Sequence, residues 1–464
     1  MLTYELDNVD IPLYQHLYEC IKNDILSGKI TKNQKMPSKR TLASNLGVST
    51  ITIENAYDQL ISEGYMYALP KKGYYAAELQ RPQSLAPKMN KVLVIDKKRK
   101  TDEPVFEFSS SRTESEDFPF SIWSRLVRTT LASKEKELLE VSPCEGVYEL
   151  RSAIANHLTS FRGMYVDPDQ IIVGAGTEYL YALLIKLLGN EKIYAIENPG
   201  YKKLSYIYRS NMAECRYVDM DDHGIDIGLL EKSGAEVAHI SPTHHFPTGI
   251  TMPVSRRYEL LAWANEKEGR YIIEDDYDSE FRLKGRPVPT LQSIDACEKV
   301  IYMNTFSKSL TSTIRISYMV LPEKLANLYF EKLSFYSNTV STFDQYVLAA
   351  FISEGYFEKH INRMRLRYEK KKMRILEMIS SIFSEEECKV IDNDSGLHFL
   401  LELKTKHSDA QIKEKLQKKR ISIGCVSDYY MEEVCDSHLF IVNYSGIKTD
   451  GMTDALKELK NAIR

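Results

Sequence analysis

The chain lacks a strong charge of either sign. Its formal net charge is −4 over 464 residues, so any nucleic-acid contact has to come from a local basic patch, because the global field weakly repels phosphate. It also lacks paired cysteines. Seven cysteines are scattered without a CxxC pair or metal-ligand spacing, which excludes a disulfide framework and a metal site. That pattern points to a reduced, cytoplasmic protein whose thiols fill the core. No apolar run is long enough to cross a bilayer: Tyr179–Leu188 is too short and is interrupted by Lys186. The N-terminal MLTYELDNVD has early acids and no apolar core, so a secretory leader is not expected. There is no internal repeat and no low-complexity tract.

What is present falls into three zones. Residues 1–80 carry closely spaced helical patterns ending in a Gly-Tyr-Tyr ribbon. Residues 81–104 read as a linker, with Pro82, Pro87 and Pro104, the basic run Lys97-Lys98-Arg99-Lys100, and a short apolar piece, Val92–Ile95. From Val105 to the end at Arg464, short β-rich runs alternate with amphipathic helices. That alternation predicts an α/β domain on a mainly parallel sheet, residues 105–464.

In the first zone Tyr14, Leu17, Tyr18, Ile21 and Ile25 recur at helical spacing, and Gly28 breaks the pattern. Ser38 is placed to cap a second helix that turns Leu42, Ala43 and Leu46 inward. Gly47-Val48 makes a tight turn, and Ser49 or Thr50 caps a third helix with Ile53, Ala56, Tyr57, Leu60 and Ile61 on its inner stripe. Thr52, Asn55 and Gln59 are left for the outer stripe. Two short helices joined by a glycine turn form the helix-turn-helix pattern. Lys71-Lys72-Gly73 then reads as a β-wing that reaches phosphates. Lys29, Lys32, Lys35, Lys39 and Arg40 follow one another with no acid between them, supplying the positive patch that the net charge lacks. The alternative is a small helical subdomain with a solvated basic face.

The strongest chemical signal in the third zone is Thr305-Phe306-Ser307-Lys308-Ser309-Leu310, with Arg315 seven residues beyond the lysine. A lysine among small hydroxyl residues just after the β-run Val300–Met303 suits a Schiff base, and the hydroxyls with Arg315 can hold a phosphate beside it. Standing alone, such a lysine would read as a surface residue in a Ser/Thr-rich loop. Upstream, Tyr271–Asp275 is a buried-type strand running into Asp276 and Tyr277. A carboxylate at a strand end can keep a pyridine nitrogen protonated, and the tyrosine can reach the ring's phenolic oxygen. A solvated loop or a divalent-metal site is the plain alternative for this acidic run. Gly174-Ala175-Gly176-Thr177 delivers a helix N-terminus, a natural phosphate cup. Tyr201, after Asn198-Pro199-Gly200, can stack on a ring face, and Ser241–Gly249 adds a turn-rich loop at a fourth strand end.

Two resemblances join these parts. The run Pro12–Tyr75, above all MPSKRTLASNLGVSTITIENAYDQLISEGY, resembles the GntR-superfamily winged helix. Residues 105–464, through GVYELRSAIANHL, HFPTGITMPVSRR, YIIEDDYDSEF, TFSKSL and SGLHFLL, resemble fold-type I aminotransferases, and specifically their MocR-family relatives fused to a winged helix. The resemblance implies a homodimeric transcription regulator with a large pyridoxal-phosphate-binding domain, a smaller C-terminal α+β subdomain, and an operator of double-stranded DNA. It implies Lys308 as the lysine that bonds the cofactor, Asp275 as partner of the pyridine nitrogen with Asp276 in reserve, Tyr277 as partner of the phenolic oxygen, and Tyr201 as the stacking ring. Gly176, Thr177, Thr305, Ser307 and Arg315 would hold the phosphate. Lys39, Arg40, Ser49, Thr50, Thr52, Asn55, Lys71, Lys72 and Gly73 would meet DNA.

The pattern breaks in four places. Thr50 stands where the winged-helix family often has a guanine-reading arginine. Ile441 stands where aminotransferases clamp the substrate carboxylate with arginine, Lys203 where the GABA-responsive relatives have a second arginine, and His245 where a glutamine is typical. The expectation is intact cofactor binding with altered substrate recognition. The effector would then be pyridoxal phosphate itself, as in the branch controlling vitamin B6 synthesis; the alternatives are an amine or amino acid sensed through the cofactor, or a working aminotransferase.

Overall fold

The computed structural model describes residues 4, 11–79, 104–109, 116–283, 288–392, 396–431 and 436–464. The expected linker, with its prolines up to Pro87, its basic run and Val92–Ile95, lies outside them. The chain divides into two compact units, Met1–Arg99 and Lys100–Arg464.

In the first unit, helix α1 (Leu13–Ser27) buries Leu17, Tyr18, Ile21 and Ile25 on one stripe and stops at Gly28, which takes the left-handed conformation at φ 83°. Tyr14 of the expected stripe is exposed instead. Ser38 caps α2 (Lys39–Leu46) by accepting from the Thr41 amide, and left-handed Gly47 ends it. Ser49, not Thr50, caps α3 (Thr50–Ser62), accepting from the Thr52 amide. Ile53, Ala56, Tyr57 and Leu60 close the small core against Leu42 and Met66. Strand β1 (Met66–Leu69) pairs antiparallel with β2 (Gly73–Ala76), from Met66 opposite Ala76 to Leu69 opposite Gly73. Lys71, at φ 62°, sits at the tip of this hairpin.

The second unit is built on an eight-stranded sheet. Its strands are β3 (Ile171–Gly174), β4 (Ile193–Asn198), β5 (Glu214–Asp221), β6 (Gly224–Ile225), β7 (Val237–Ile240), β8 (Tyr271–Asp275), β9 (Val300–Thr305) and β10 (Ser317–Val320). The spatial order is β3-β10-β9-β8-β7-β4-β5-β6. Strands β9, β8, β7, β4 and β5 run parallel, and β10 is antiparallel to β9 and β3. Every residue of β3, β7 and β9 is buried, as expected of strands covered on both faces. A second, antiparallel sheet of β11 (Cys388–Ile391), β12 (His398–Leu403), β13 (Gly424–Cys425) and β14 (Leu439–Asn443) lies in the order β11-β12-β14-β13. With the helices Asp409–Lys418 and Met452–Ile463 it forms the smaller α+β part. In a parallel sheet the carboxyl ends of the strands share one edge, and ligands bind outside it. Asn198, Ile240, Asp275 and Thr305 all end strands there.

Candidate functional site

A cavity of about 460 Å³ opens at that edge. Lys308, Asp275, Tyr277, Tyr201, Thr177, Thr305, Ser307 and Arg315 line it, so eight of the nine residues read from sequence for the cofactor meet there. The ninth, Gly176, precedes the helix Thr177–Leu188 at φ 92°, and a Cβ on it would stand 2.3 Å from Arg315 Nη2. Only glycine fits both that backbone and the guanidinium packed over it.

The two consecutive aspartates part company because successive residues of a strand point to opposite faces. Asp275 faces the cavity and accepts a hydrogen bond of 2.5 Å from the Tyr181 hydroxyl, with His239 Nε2 at 3.8 Å from the same oxygen. Its other oxygen, Oδ1, is buried without a partner. Asp276 turns away. It is paired with the fully buried Arg162 and accepts from the Tyr302 hydroxyl at 2.7 Å. The reserve reading is thereby set aside. The solvated-loop alternative fails as well, since Asp276 and Asp278 are buried. No group of side chains among the described residues could hold a metal ion.

Lys308 lies in a short helical turn, Phe306–Ser309, whose cap is the Thr305 hydroxyl accepting from the Ser307 amide at 3.1 Å. Burial depresses the Lys308 pKa, opposed by the charge of Asp278, and so favours the neutral, nucleophilic amine. Thr305 Oγ1 is already engaged, accepting also from Ser317 at 2.8 Å. Ser307 Oγ, by contrast, is buried and unpartnered. Arg315, at φ 50°, has half its side chain exposed, with Nη2 3.9 Å from Glu178.

Several groups in or behind the cavity wall escape a local reading of the sequence. His244 Nδ1 lies 2.9 Å from Asp278 and 3.4 Å from the Tyr277 hydroxyl, and its ring sits 4.5 Å from that of His398. Burial drives the His398 pKa well below its ordinary value, helped by the charge of neighbouring His244. His245 is lowered by burial to about 3 and sits 3.4 Å from Glu197, itself raised by burial to about 8. Burial thus favours the neutral forms of His398, His245 and Glu197 on this side of the cavity. Ile441 is buried with Leu400 and Val426 against Phe246 and Tyr429, so an apolar cluster fills the place expected of a carboxylate clamp. Lys203 is ion-paired with Glu178.

In the first unit the side chains read for DNA divide. Arg40, Thr50, Asn55, Lys71 and Lys72 are exposed, and Ser49 is held as the helix cap. Gly73, at φ 110°, opens β2, and its backbone packs near Lys35. Two readings need correction. Thr52 is half-buried and its hydroxyl lies 2.8 Å from Ser49 Oγ, and Gln59 is half-buried too. The outer face carries Ile51, Glu54, Asn55 and Asp58 instead. Nor is the basic patch free of acids: Lys29 pairs with Asp24, Lys32 with Glu78, and Lys39 with both Glu54 and Asp58. Spacing along the chain hid these partners, which come from other elements. Among the described residues Arg40, Lys71 and Lys72 form no ion pair.

Comparison with known proteins adds the same division. Residues 112–459 match the model for aminotransferase class I and II, and residues 13–75 that for bacterial regulatory proteins of the gntR family. The chain is 36% identical to the uncharacterized HTH-type transcriptional regulator YdeL of Bacillus subtilis, covering 98% of this chain and 97% of that one. It is 28% identical to the probable rhizopine catabolism regulatory protein MocR of Rhizobium meliloti, over 100% of this chain and 96% of the relative. This chain belongs to the MocR family. The pyridoxine biosynthesis regulator PdxR of Corynebacterium glutamicum is similar at 27% identity, over 96% of this chain and 95% of its own. The solved kynurenine aminotransferase of Pyrococcus horikoshii shares the fold, with a TM-score of 0.69 at 23% identity, over 78% of this chain and 91% of that one. This MocR-family protein is thus a DNA-binding transcription regulator with an aminotransferase-like domain. No helix among its described residues is long and apolar enough to cross a membrane.

Proposed function

We propose that this regulator holds pyridoxal phosphate in the 460 Å³ cavity and that the cofactor is itself the signal. One observation carries the reading: among the described residues, Lys308 and Arg315 are the only lysine and arginine lining the cavity. Once one bonds the cofactor and the other meets its phosphate, no lining cation remains for the carboxylate of an amino acid. The corresponding arginine position is Ile441, sealed in an apolar cluster. The PdxR relative, a regulator of pyridoxine biosynthesis by name, supports the same direction.

The residues fit the group. Asp275 Oδ1 and Ser307 Oγ are buried polar atoms with no protein partner, and a pyridine N–H and a phosphate oxygen are the complements each needs. Bound there, the cofactor supplies an aldehyde for a lysine amine and an electron-withdrawing ring. The chain does the rest. Burial lowers the Lys308 pKa toward the nucleophilic amine, and Tyr181 steadies Asp275 by donating to its other oxygen. Gly176 lets Arg315 close over the helix N-terminus at Thr177, which adds backbone donors for the phosphate. Tyr201 supplies the stacking ring, Tyr277 the hydroxyl for the phenolic oxygen, and Thr305 holds the turn.

The same reading assigns DNA binding to residues 1–80, a connecting role to 81–104 and effector binding to 105–464. Acting on DNA places the protein in the cytoplasm. A homodimer through the large unit, as the aminotransferase-like fold suggests, completes the reading.

Adding a panel of amines and amino acids to the loaded protein tests the effector assignment. Neither the cofactor spectrum nor operator affinity should change, and no turnover should follow. A single amino compound that shifts both would replace the cofactor as signal, and sustained turnover would make the protein an aminotransferase.

A further inference from the structure

The recognition helix α3, TITIENAYDQLIS, contains no lysine or arginine. Its first outward side chain with any bulk is Ile51, which is 68% exposed and takes no part in the core of its unit. One turn on, Glu54 faces the same way, its carboxylate 2.8 Å from Lys39 Nζ; Asp58 lies 3.2 Å from the same nitrogen. Lys39 is only 18% exposed and stands over the Tyr74 ring at 5.6 Å. It is held by the unit and cannot swing freely to a phosphate.

In a helix-turn-helix the N-terminal residues of the second helix meet base edges in the major groove. Two features of the groove match what this helix offers. The thymine C5-methyl is the apolar group on the major-groove edge, and a carboxylate accepts from the cytosine N4 amine. An acid facing DNA would normally oppose binding by repelling phosphate. Lys39 offsets that cost by neutralising Glu54 and Asp58 from the helix flank; it bonds Glu54 through Oε1, leaving Glu54 Oε2 to accept.

We propose that this protein reads its operator with Ile51 against a thymine methyl and Glu54 against a neighbouring cytosine amine, in place of guanine-reading arginines. Lys39 is a positioning residue that fixes Glu54. The proposal rests on DNA binding by this unit and goes beyond it by naming the bases.

The test is selection of binding sites from a random duplex pool by the full-length protein and its Ile51→Ala and Glu54→Gln variants. Deoxyuridine is then substituted for each thymine of the selected site, which removes only the methyl. Wild-type affinity should fall roughly fourfold at one thymine, the scale of one buried methyl. Ile51→Ala should be indifferent to that same substitution. Glu54→Gln should lose the cytosine preference, with adenine rising at that position because glutamine pairs with its edge. Lys71→Ala with Lys72→Ala serves as the control and should weaken binding to every sequence without moving the preference. Equal methyl sensitivity in wild type and Ile51→Ala, or an unchanged site for Glu54→Gln, would overturn the proposal. A pool from which nothing is enriched would overturn DNA binding itself, and the base assignment with it.

Discussion

Asp275 and Asp276 are adjacent in sequence and opposite in role, and a pair of isosteric substitutions separates them. The Asp276 and Arg162 side chains are each 1% exposed and ion-paired. Burial alone would disfavour the Arg162 charge, but Asp276, with Tyr302, more than restores it, so the guanidinium stays protonated. Asp276→Asn keeps the volume and the one acceptor oxygen that Tyr302 and Arg162 share, but removes the negative charge that compensates the buried guanidinium. An uncompensated buried charge costs about 3–5 kcal/mol. For a unit of this size that is a loss of roughly 4–7 °C in the melting temperature. Asp275→Asn disturbs a cavity wall: it can still accept from Tyr181 and strands no buried cation. Its stability should stay within about 1 kcal/mol of wild type. What it loses is the charge opposite the pyridine nitrogen, a charge-assisted hydrogen bond whose removal should weaken pyridoxal phosphate binding roughly 10- to 150-fold. Thermal melts of the unloaded proteins and titration with the cofactor read the two effects separately. If Asp275→Asn melts like Asp276→Asn, or if Asp276→Asn is stable and binds the cofactor poorly, the assignment of the two carboxylates is wrong.

Lys308→Ala should remove the near-visible absorbance of the loaded protein and any borohydride-trapped adduct; an adduct that survives would put the covalent link elsewhere. Gly176→Ala strains a backbone at φ 92° and pushes on Arg315, so phosphate-bearing cofactor should bind more weakly while pyridoxal without phosphate is little affected, as a paired titration would show. Replacing Lys71 and Lys72 by alanine should reduce affinity for all DNA and flatten its salt dependence, by about one unit of slope for each phosphate no longer neutralised. Stability should also fall between pH 6.5 and 8. Burial raises Glu274 and Glu280 to about 7 and Glu197 to about 8, so the folded state keeps protons there that the unfolded chain has already released. A raised folded pKa gives stability that is complete below the unfolded value and is lost as pH climbs through the folded one. The depressed histidines His245 at about 3, and His157 and His360 at about 4, act oppositely but only below their unfolded pKa near 6.5. Denaturant titrations across that window should show a loss on the order of 2 kcal/mol, and a flat or rising profile would contradict the burial of these acids.

The sheet and most of the cavity lining were legible because both rest on short-range patterns. Strands buried on both faces appear as unbroken apolar runs, and the residues that end them, such as Asp275, then fall on the ligand edge. Gly176 announces the helix N-terminus and Lys308 the turn after β9. Strand alternation could have separated Asp275 from Asp276, since Glu274 and Asp276 share one face. Tyr181 was also within reach, four residues from Thr177 and so on the same side of the helix. His244 and His398 were not, because they come from a loop and from the second sheet, far apart in sequence. The paired state of Lys39 was hidden for the same reason: its acids sit on another helix. Thr52 failed for a different cause. Its hydroxyl joins the cap at Ser49, so a position that a wheel places outward is turned back against the helix start.

Loading the cavity should change the grip on DNA. A ligand shifts a two-state equilibrium only through unequal affinity for the two states. Operator affinity of the full-length protein should therefore differ at least roughly five-fold between cofactor-free and pyridoxal-phosphate-loaded forms. The measurement is a direct DNA titration of both forms and of Lys308→Ala, in which most of that difference should vanish. Equal affinity of the two wild-type forms, with a change appearing only after an amino compound is added, would contradict the claim that the cofactor is the signal.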